Sequence, residues 1–266
     1  MRTYIPAHLY IHQGADHSLP YPAEGYGGWT GVAVPLDPEK TAVLVMHAWE
    51  ILPYSECPAI HRMCEYIPRA QEIMDTRFPD FLEAVRKSGV RLIHVGSATE
   101  KTLQFHPRYQ ELSRKYPPKE YPQVEKDQEL LDFHWRLASC DESNEEGFWK
   151  SVRERDFYIK PPADEDVVCT TQQLFELCRE EGINHLIYTG FASNWCLLFN
   201  ECGVMDMNRH GLLCSIVGDL TTAVENKESC RTQEHLKYSM WLFSNYNGFV
   251  FLADDLKRTL LCPEKP

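Results

Sequence analysis

The segment His185-Leu-Ile-Tyr-Thr-Gly190 decides the fold, because this apolar run ends at a glycine and leads into a helical pattern from about Cys196 to Asn208. A short apolar run of this kind is typical of a strand that is buried on both faces. Similar strand-like runs occur at residues 42–46, 92–95, 157–159, 212–217 and 248–252. Helical patterns stand between them, around residues 74–88, 171–181 and 227–243.

Strands that alternate with helices pair in parallel through right-handed crossovers, which places helices on both faces of the sheet. The pattern therefore predicts an α/β fold, a Rossmann-like three-layer αβα arrangement with a mainly parallel sheet of about six strands. We expect an N-terminal arm at residues 1–40, where no helical or strand period is evident, and a single domain at residues 41–266. Residues 99–155 are polar and interrupt the rhythm, so we predict an insertion over one sheet edge or over the site.

Charge and cysteine content limit the function classes. The chain has 27 basic and 39 acidic residues, a net charge of −12, which disfavours nucleic acid and anionic membranes as partners. The N-terminus does not resemble a signal peptide, and no stretch approaches the roughly 18 apolar residues of a membrane span. The ten cysteines include no CxxC pair and fall mostly in apolar patterns, as buried free thiols do. We therefore predict a cytoplasmic protein.

Three residues of reactive types follow the predicted strands. In parallel α/β sheets, ligands bind at the carboxyl ends of the strands. His47 follows the strand at 42–46, Lys160 follows the strand at 157–159, and Cys196 comes six residues after Gly190. Each has an ordinary alternative: a histidine that only makes a structural hydrogen bond, a solvated lysine, and a cysteine in the core.

Together these residues resemble a known set. The segment Tyr188-Thr-Gly-Phe-Ala-Ser-Asn-Trp-Cys196 resembles the nucleophile motif of the isochorismatase-like cysteine hydrolases, which include nicotinamidases and N-carbamoylsarcosine amidases. Thr41-Ala-Val-Leu-Val-Met-His47 is similar to the family's first strand, Tyr158-Ile-Lys-Pro161 to its lysine strand, and Val217-Gly-Asp219 with His235 to the end of its fold. The resemblance covers about residues 40–255, in matching order, and identifies residues 41–266 as a hydrolase domain.

The resemblance implies a reaction in which Cys196 attacks a carbonyl carbon and the backbone amides of Ala192 and Cys196 bind the oxyanion. It also implies a cis peptide between Phe191 and Ala192, which turns the Ala192 N–H toward that oxyanion. His47 stands where the family has an aspartate that takes the thiol proton. A histidine can take this proton as well, or the exchange marks a site that has lost hydrolysis. Glu50, three residues on, is an alternative carboxylate.

The position of Cys196 favours reactivity on physical grounds. A thiol in the first turn of a helix meets unpaired N–H groups and the positive end of the helix dipole, which lower its pKa. A nearby Lys160 ammonium would lower that pKa further and would keep His47 neutral, the form that can act as a base. We therefore predict a lowered pKa for Cys196 and a pocket shared by Cys196, His47 and Lys160.

No metal and no cofactor are predicted. Nicotinamidases hold a divalent ion with an Asp-x-His motif and a further histidine after the second strand, and the segment from His94 to His106 lacks that motif. Both histidines are common ligand types, but a structural or surface role accounts for each. We expect Trp49, Trp195 and Phe191 to contact the substrate, with core filling as the alternative for the two tryptophans.

The leading hypothesis is a cysteine hydrolase that cleaves a C–N bond of a small amide or carbamoyl-type substrate. In this reaction Cys196 attacks, His47 serves as base and then as acid, and Lys160 supplies positive charge. The alternative is a catalytically degenerate relative that binds a ligand or acts as a scaffold, which an inert, buried Cys196 would favour. The expected partners are a small-molecule substrate and further copies of the chain in a homo-oligomer.

Overall fold

The computed structural model describes residues 2–97, 100–117, 122–138, 150 and 155–262. The predicted insertion at residues 99–155 therefore lies partly outside the described residues. Its described part contains helices at Pro107–Lys115 and Gln128–Ala138. No helix in the described ranges is long and apolar enough to cross a membrane.

The strands form a large sheet and a small one. They are β1 (Thr3–Ile11), β2 (Gly28–Leu36), β3 (Thr41–Met46), β4 (Trp49–Glu50), β5 (Arg91–Val95), β6 (Asp156–Phe157), β7 (Asp166–Val168), β8 (His185–Phe191), β9 (Leu213–Thr222) and β10 (Val250–Phe251). The large sheet has eight strands in the order β2-β1-β10-β9-β8-β3-β5-β7, whereas β4 pairs with β6. The six strands from β10 to β7 run parallel to one another. The predicted α/β fold with a mainly parallel sheet is confirmed.

Helices cover both faces of the large sheet. Besides the two already named, they are Pro58–Met63, Ile67–Thr76, Phe78–Ser88, Thr171–Glu181, Cys196–Phe199, Val204–Arg209, Glu234–Asn245 and Ala253–Leu261, with short 3-10 helices at Pro22–Gly25, Pro38–Lys40 and Leu103–Phe105. Strand β3 lies between two cores, which explains its apolar run at residues 42–46. Val43 and Val45 pack into one core with Phe78, while Leu44 packs into the other core with Leu174. The chain thus has the predicted three layers.

Residues 1–40 contain two strands that the sequence pattern did not predict. β1 and β2 form an antiparallel hairpin, and β1 joins the large sheet through the pairing of His8 with Val250 on β10. An alternating signal is present, because Ile5 and Ala7 are buried while Pro6 and His8 are exposed. Proline and histidine have low strand propensity and hide this alternation in the sequence. The division into an arm at 1–40 and a domain at 41–266 stays a prediction.

The predicted helix from Cys196 to Asn208 is two short helices, Cys196–Phe199 and Val204–Arg209. The chain turns between them at Cys202, whose φ of 64° is left-handed. Gly203 follows and packs so closely against the preceding turn that a Cβ would lie 2.7 Å from a backbone oxygen. The break leaves Cys196 on a helix of four residues.

The predicted strand at 157–159 is not part of the large sheet. Only Asp156–Phe157 is extended, and it pairs with Trp49–Glu50 in the small sheet. At the end of the large sheet next to β5, the edge strand is instead β7, which pairs with β5. Pro161 and Pro162 follow Lys160, and proline lacks the N–H that a sheet ladder needs. Lys160 therefore does not stand at the carboxyl end of a parallel strand.

Candidate functional site

The carboxyl ends of β3, β5 and β8 meet at one cavity of about 760 Å³. His47 follows β3, Gly96 and Ser97 follow β5, and Cys196 lies beyond the end of β8. All four residues line the cavity. Ligands were expected at the carboxyl ends of the parallel strands, and two of the three predicted reactive residues, His47 and Cys196, do line this cavity.

Gly190 determines how closely β8 approaches β3 at this edge. Its φ of 107° lies in the region that favours glycine. A Cβ at this position would lie 1.9 Å from the carbonyl oxygen of Met46, the residue before His47. Only glycine fits here, and it allows the segment that leads to Cys196 to pass beside His47.

Cys196 is half-buried. The Nδ2 atom of Asn200 donates to Sγ over 3.2 Å, and the backbone amides of Ala192 and Cys196 favour the ionised form of the thiol. Burial raises the pKa of Cys196 above its ordinary value, although these amides and the Arg155 guanidinium oppose the rise. The prediction of a lowered pKa is wrong, because a four-residue helix has a small dipole and burial outweighs the donors.

The peptide between Phe191 and Ala192 is cis, as the resemblance implied. Phe191 is buried in the core, where its ring lies 5.8 Å from the ring of Phe78 and nearly parallel to it. The structure therefore places Phe191 away from the cavity wall in which we predicted it, because the end of β8 directs this side chain into a helix layer. The backbone that follows it supplies the Ala192 amide to Cys196.

His47 is buried and neutral. It follows β3 with a φ of 51°, and the residue is 7% exposed. Burial first, and then the charge of Arg155, lower the pKa of His47 to about 3, against a backbone contact with Gly96 that raises it. The Nδ1 atom is buried and has no hydrogen-bond partner. Although both side chains line the cavity, no hydrogen bond joins His47 to Cys196 in the described structure.

Trp49 packs against two polar groups. The His47 ring stacks on it at a centroid distance of 4.4 Å and an angle of 18°. The central guanidinium carbon of Arg155 lies 3.7 Å from the centre of the Trp49 ring. The indole is therefore in contact with both His47 and Arg155. The indole Nε1 atom donates to Oε1 of Glu100 over 2.5 Å.

Lys160 lies outside this arrangement. Its side chain is 68% exposed, and Nζ is 3.5 Å from a carboxylate oxygen of Asp156. It does not line the cavity, because its segment leaves the small sheet at Phe157 and never enters the large one. The prediction that Lys160 shares a pocket with Cys196 and His47 is therefore wrong.

Arg155 supplies the positive charge that was predicted for Lys160. Its guanidinium lines the cavity and donates to Oγ of Ser97 over 3.0 Å. Its charge lowers the pKa of Cys196 and of His47. Burial lowers the pKa of Arg155 itself, but a guanidinium remains protonated at any ordinary pH.

Trp49 and Trp195, predicted to contact the substrate, both line the cavity. Trp195 is 46% exposed, which is unusual for a tryptophan that only fills a core. Most of the remaining wall is apolar and includes Ile51, Ile60, Ile67 and Phe199, while Asn200, Glu201 and Asp206 add polar groups. The cavity therefore suits a ligand with a flat or apolar portion.

His94 and His106 have protein partners. The Nε2 atom of His94 lies 2.7 Å from Oε2 of Glu165, and that of His106 lies 3.0 Å from the carbonyl oxygen of Pro162. These contacts fit the structural roles that the sequence left open for both residues. Among the residues that the structure describes, no group of three or more His, Cys, Asp and Glu side chains is placed to hold a metal ion.

Arg155, Asn200 and Glu100 belong to the site and were not predicted. Asn200 has a sequence signal, because a residue four positions after Cys196 lies on the same side of a helical turn. Glu100 is not adjacent to the end of β5 as His47 is to the end of β3, so its position gave no comparable signal. Arg155 lies outside every repeating pattern and had none. Glu50, the alternative carboxylate, is exposed on β4 and does not line the cavity.

Solved structures are similar to this chain, whereas no protein-family model and no curated protein matches it. A cysteine hydrolase from Pseudomonas syringae pv. phaseolicola superposes with a TM-score of 0.50 at 12% identity, over 87% of this chain and 97% of its own. An isochorismatase-like hydrolase from Alkaliphilus metalliredigens has a TM-score of 0.48 at 19% identity, over 84% and 98%. An N-carbamoylsarcosine amidase from Thermoplasma acidophilum has a TM-score of 0.42 at 16% identity, over 81% and 97%. The chain has the fold of the cysteine hydrolase, and its structural neighbours are isochorismatase-family proteins.

Proposed function

We propose that the chain is a cysteine hydrolase that cleaves a C–N bond of a small amide or carbamoyl-type substrate, with Cys196 as its nucleophile. The observation that carries the proposal is the set of donors around Sγ. The Nδ2 atom of Asn200 donates to the sulfur and the amides of Ala192 and Cys196 lower the pKa of the thiol, inside a cavity that also holds the Arg155 cation. Donors in this position stabilise a thiolate, and the same amides can bind an oxyanion two bonds away from the sulfur.

The reaction begins when Sγ of Cys196 forms a bond to the carbonyl carbon and the C=O π electrons move to oxygen. The amides of Ala192 and Cys196 then hold the oxyanion. When the C=O bond re-forms, the C–N bond breaks and the nitrogen leaves with a proton. Water then forms a C–O bond to the thioester or S-carbamoyl carbon, the C–S bond breaks, the carboxylic or carbamic acid leaves, and Sγ takes a proton to restore the thiol.

His47 is the group that we assign to proton transfer, because its Nδ1 atom is buried at the cavity and has no partner. A base whose pKa is about 3 holds a proton only briefly near pH 7. We therefore assign the proton transfer from Cys196 to the same step as the attack. His47 then delivers the same proton to the leaving nitrogen. Arg155 takes the role of positive charge that was first expected of Lys160.

The walls of the cavity favour a substrate with an apolar or aromatic portion. About 760 Å³ is a volume that suits a molecule larger than a minimal amide. Trp195, Ile60 and Phe199 can cover such a portion while the reacting carbonyl lies at Cys196. We therefore place aryl and alkyl amides and N-carbamoyl compounds first among the substrates to be tested.

A ligand-binding protein without catalysis is the second candidate. Two observations favour it: burial raises the pKa of Cys196, and His47 makes no hydrogen bond to the sulfur in the described structure. We would expect both observations in a protein that lost hydrolysis when His47 replaced the family's aspartate but kept the fold and the cavity.

Ammonia or amine release from a panel of small amides and N-carbamoyl compounds separates the two candidates. The panel is assayed with the wild-type chain, Cys196→Ala and Cys196→Ser. A hydrolase releases ammonia or amine, loses at least about 10³-fold in rate in Cys196→Ala, and forms a covalent adduct on Cys196 that mass spectrometry detects.

Binding without turnover contradicts the hydrolase. In that case a panel compound raises the melting temperature equally in the wild type and in Cys196→Ala, no ammonia or amine appears, and no adduct forms. This result would establish the second candidate.

A further inference from the structure

Glu100 is an acid buried behind the cavity. It is 4% exposed and does not itself line the cavity. Its Oε1 atom accepts hydrogen bonds from Nε1 of Trp49 over 2.5 Å and from the backbone N–H of Ser97 over 2.8 Å. Its Oε2 atom is buried and has no hydrogen-bond partner. A carboxyl group in such a place costs free energy, so stability alone does not explain its presence.

Both donors to Glu100 belong to the cavity wall. Trp49 and Ser97 line the cavity, and so does Gly96, where a Cβ would lie 2.8 Å from Oε2 of Glu100. The carboxyl group thus packs directly against the backbone that follows β5. Through Trp49 it is one contact away from His47 and Arg155, which both pack on the indole ring.

The surroundings of Glu100 raise the pKa of its carboxyl group toward neutral pH. Burial raises its pKa to about 7. The bonds from Trp49 and Ser97 and the charge of Arg155 oppose the rise, whereas the charge of Asp156 adds to it. The thiol of Cys169, on the segment after β7, is a further titratable group within electrostatic range of Glu100.

We propose that Glu100 is a positioning residue, which in its ionised form holds Trp49 and thereby keeps His47 and Arg155 in place for the reaction at Cys196. The inference rests on the proposed function and adds a control of the same site. A carboxylate binds the indole N–H more strongly than a neutral acid does, and it attracts the guanidinium. Protonation weakens both interactions, so the stack on Trp49 loosens as the pH falls.

The first test is the pH profile of kcat/KM. In the wild type we expect kcat/KM to fall as the pH drops through about 7. Glu100→Gln keeps the shape and one acceptor oxygen but cannot ionise, so its kcat/KM at pH 8 should fall on the order of tenfold and should show no rise through pH 7. Glu100→Asp, which restores the charge, should recover part of the loss and the pH-dependent limb.

Stability separates positioning from a structural role. Because the pKa of Glu100 is raised, the folded protein disfavours the ionised form, and stability is lost as the pH rises from about 4.5 to about 7. Glu100→Gln has no charge to bury, so it should unfold at pH 8 at a temperature no lower than the wild type does. A purely structural role would lower both activity and melting temperature.

Glu225→Gln is the matched control. Glu225 is also a buried acid, 5% exposed, but it accepts from the backbone N–H groups of His235 and Leu236, which, unlike Trp49 and Ser97, do not line the cavity. This variant should lower the melting temperature and keep the pH profile of the wild type. A change in the profile equal to that of Glu100→Gln would overturn the inference.

A readout without turnover keeps this inference distinct from the proposed function. The fluorescence of Trp49, taken as the difference between the wild type and Trp49→Phe, should change with a midpoint near pH 7, and Glu100→Gln should abolish the change. A transition that persists in Glu100→Gln overturns the role of Glu100. The expected transition in a chain that cleaves none of the amides supports the Glu100–Trp49 link and contradicts the hydrolase instead.

Discussion

Burial and the Arg155 charge oppose each other at one reactive group of the cavity and act together at the other. At Cys196, burial raises the pKa, but the Ala192 amide and the Arg155 charge work against it. At His47, burial and the same Arg155 charge act together, and the pKa falls to about 3. One cation therefore favours the charged form of the nucleophile and disfavours the charged form of the base. The comparison indicates that Arg155 lowers the proton affinity of both groups, although burial has the largest influence on each.

The largest effect should follow from removal of that cation. Arg155→Met keeps much of the packing on Trp49 but removes the charge, so the pKa of Cys196 should rise further and that of His47 should recover. We expect alkylation of Cys196 by iodoacetamide at pH 8 to slow at least about tenfold, because only the thiolate reacts. Peptide mapping by mass spectrometry follows Cys196 separately from the other cysteines.

Lys160→Met is the control for this measurement. It also removes one positive charge from the same part of the sequence, but its side chain is exposed and paired with Asp156. Its labelling rate should match that of the wild type. A rate as slow in Lys160→Met as in Arg155→Met would return Lys160 to the site.

A smaller effect, in the opposite direction, should follow from His47→Asp. The variant restores the residue type that the resemblance associates with proton transfer, and Arg155 would keep the new carboxylate ionised. We expect amide cleavage to rise several-fold, because burial raises the pKa of a carboxyl group whereas it lowers that of His47 to about 3, which makes the aspartate the stronger base at this position. His47→Asn, which cannot take the proton, should lower the rate. An equal loss in both variants would show that the imidazole has a specific role of its own.

The smallest effect should come from Asn200→Ala. This change removes one neutral donor to the sulfur, while the two backbone amides remain. A neutral hydrogen bond at an exposed residue contributes about 1 kcal/mol or less, so labelling of Cys196 should slow about two- to fivefold. The alkylation assay measures this change, and Gln172→Ala, on the surface of another helix, is the control. A loss as large as that of Arg155→Met would make Asn200 the main support of the thiolate.

The fold was predictable because buried parallel strands leave apolar runs, and those of β3, β5 and β8 stand out in the sequence. The same rhythm placed His47 and Cys196 at strand ends, where the structure brings both to one cavity. It failed for Lys160, because a three-residue apolar run before two prolines can belong to a two-residue ladder as well as to a sheet strand. Burial is a property of the assembled layers, so the raised pKa of Cys196 had no local signal.

The cation and the buried acid of the site escaped prediction for a related reason. Arg155 and Glu100 come from segments without a repeating pattern, and their roles depend on contacts across the small sheet of β4 and β6. Sequence periodicity reports which face of an element is buried, but it does not report which loops meet. The residues that tune the site were thus less predictable than those that react.

The hairpin of β1 and β2 has a consequence for how the chain acquires its fold. In the described part of the chain, the hairpin pairs with the rest of the large sheet through β10, where His8 of β1 meets Val250 across almost the full length of the chain. The hairpin can form early from local pairing, but its docking must wait for the other end of the chain to arrive. Until then β1 presents an open edge that another chain could pair with. Chaperone dependence during synthesis, and misassembly when the residues around Val250 are deleted, are therefore the failures to expect from this topology.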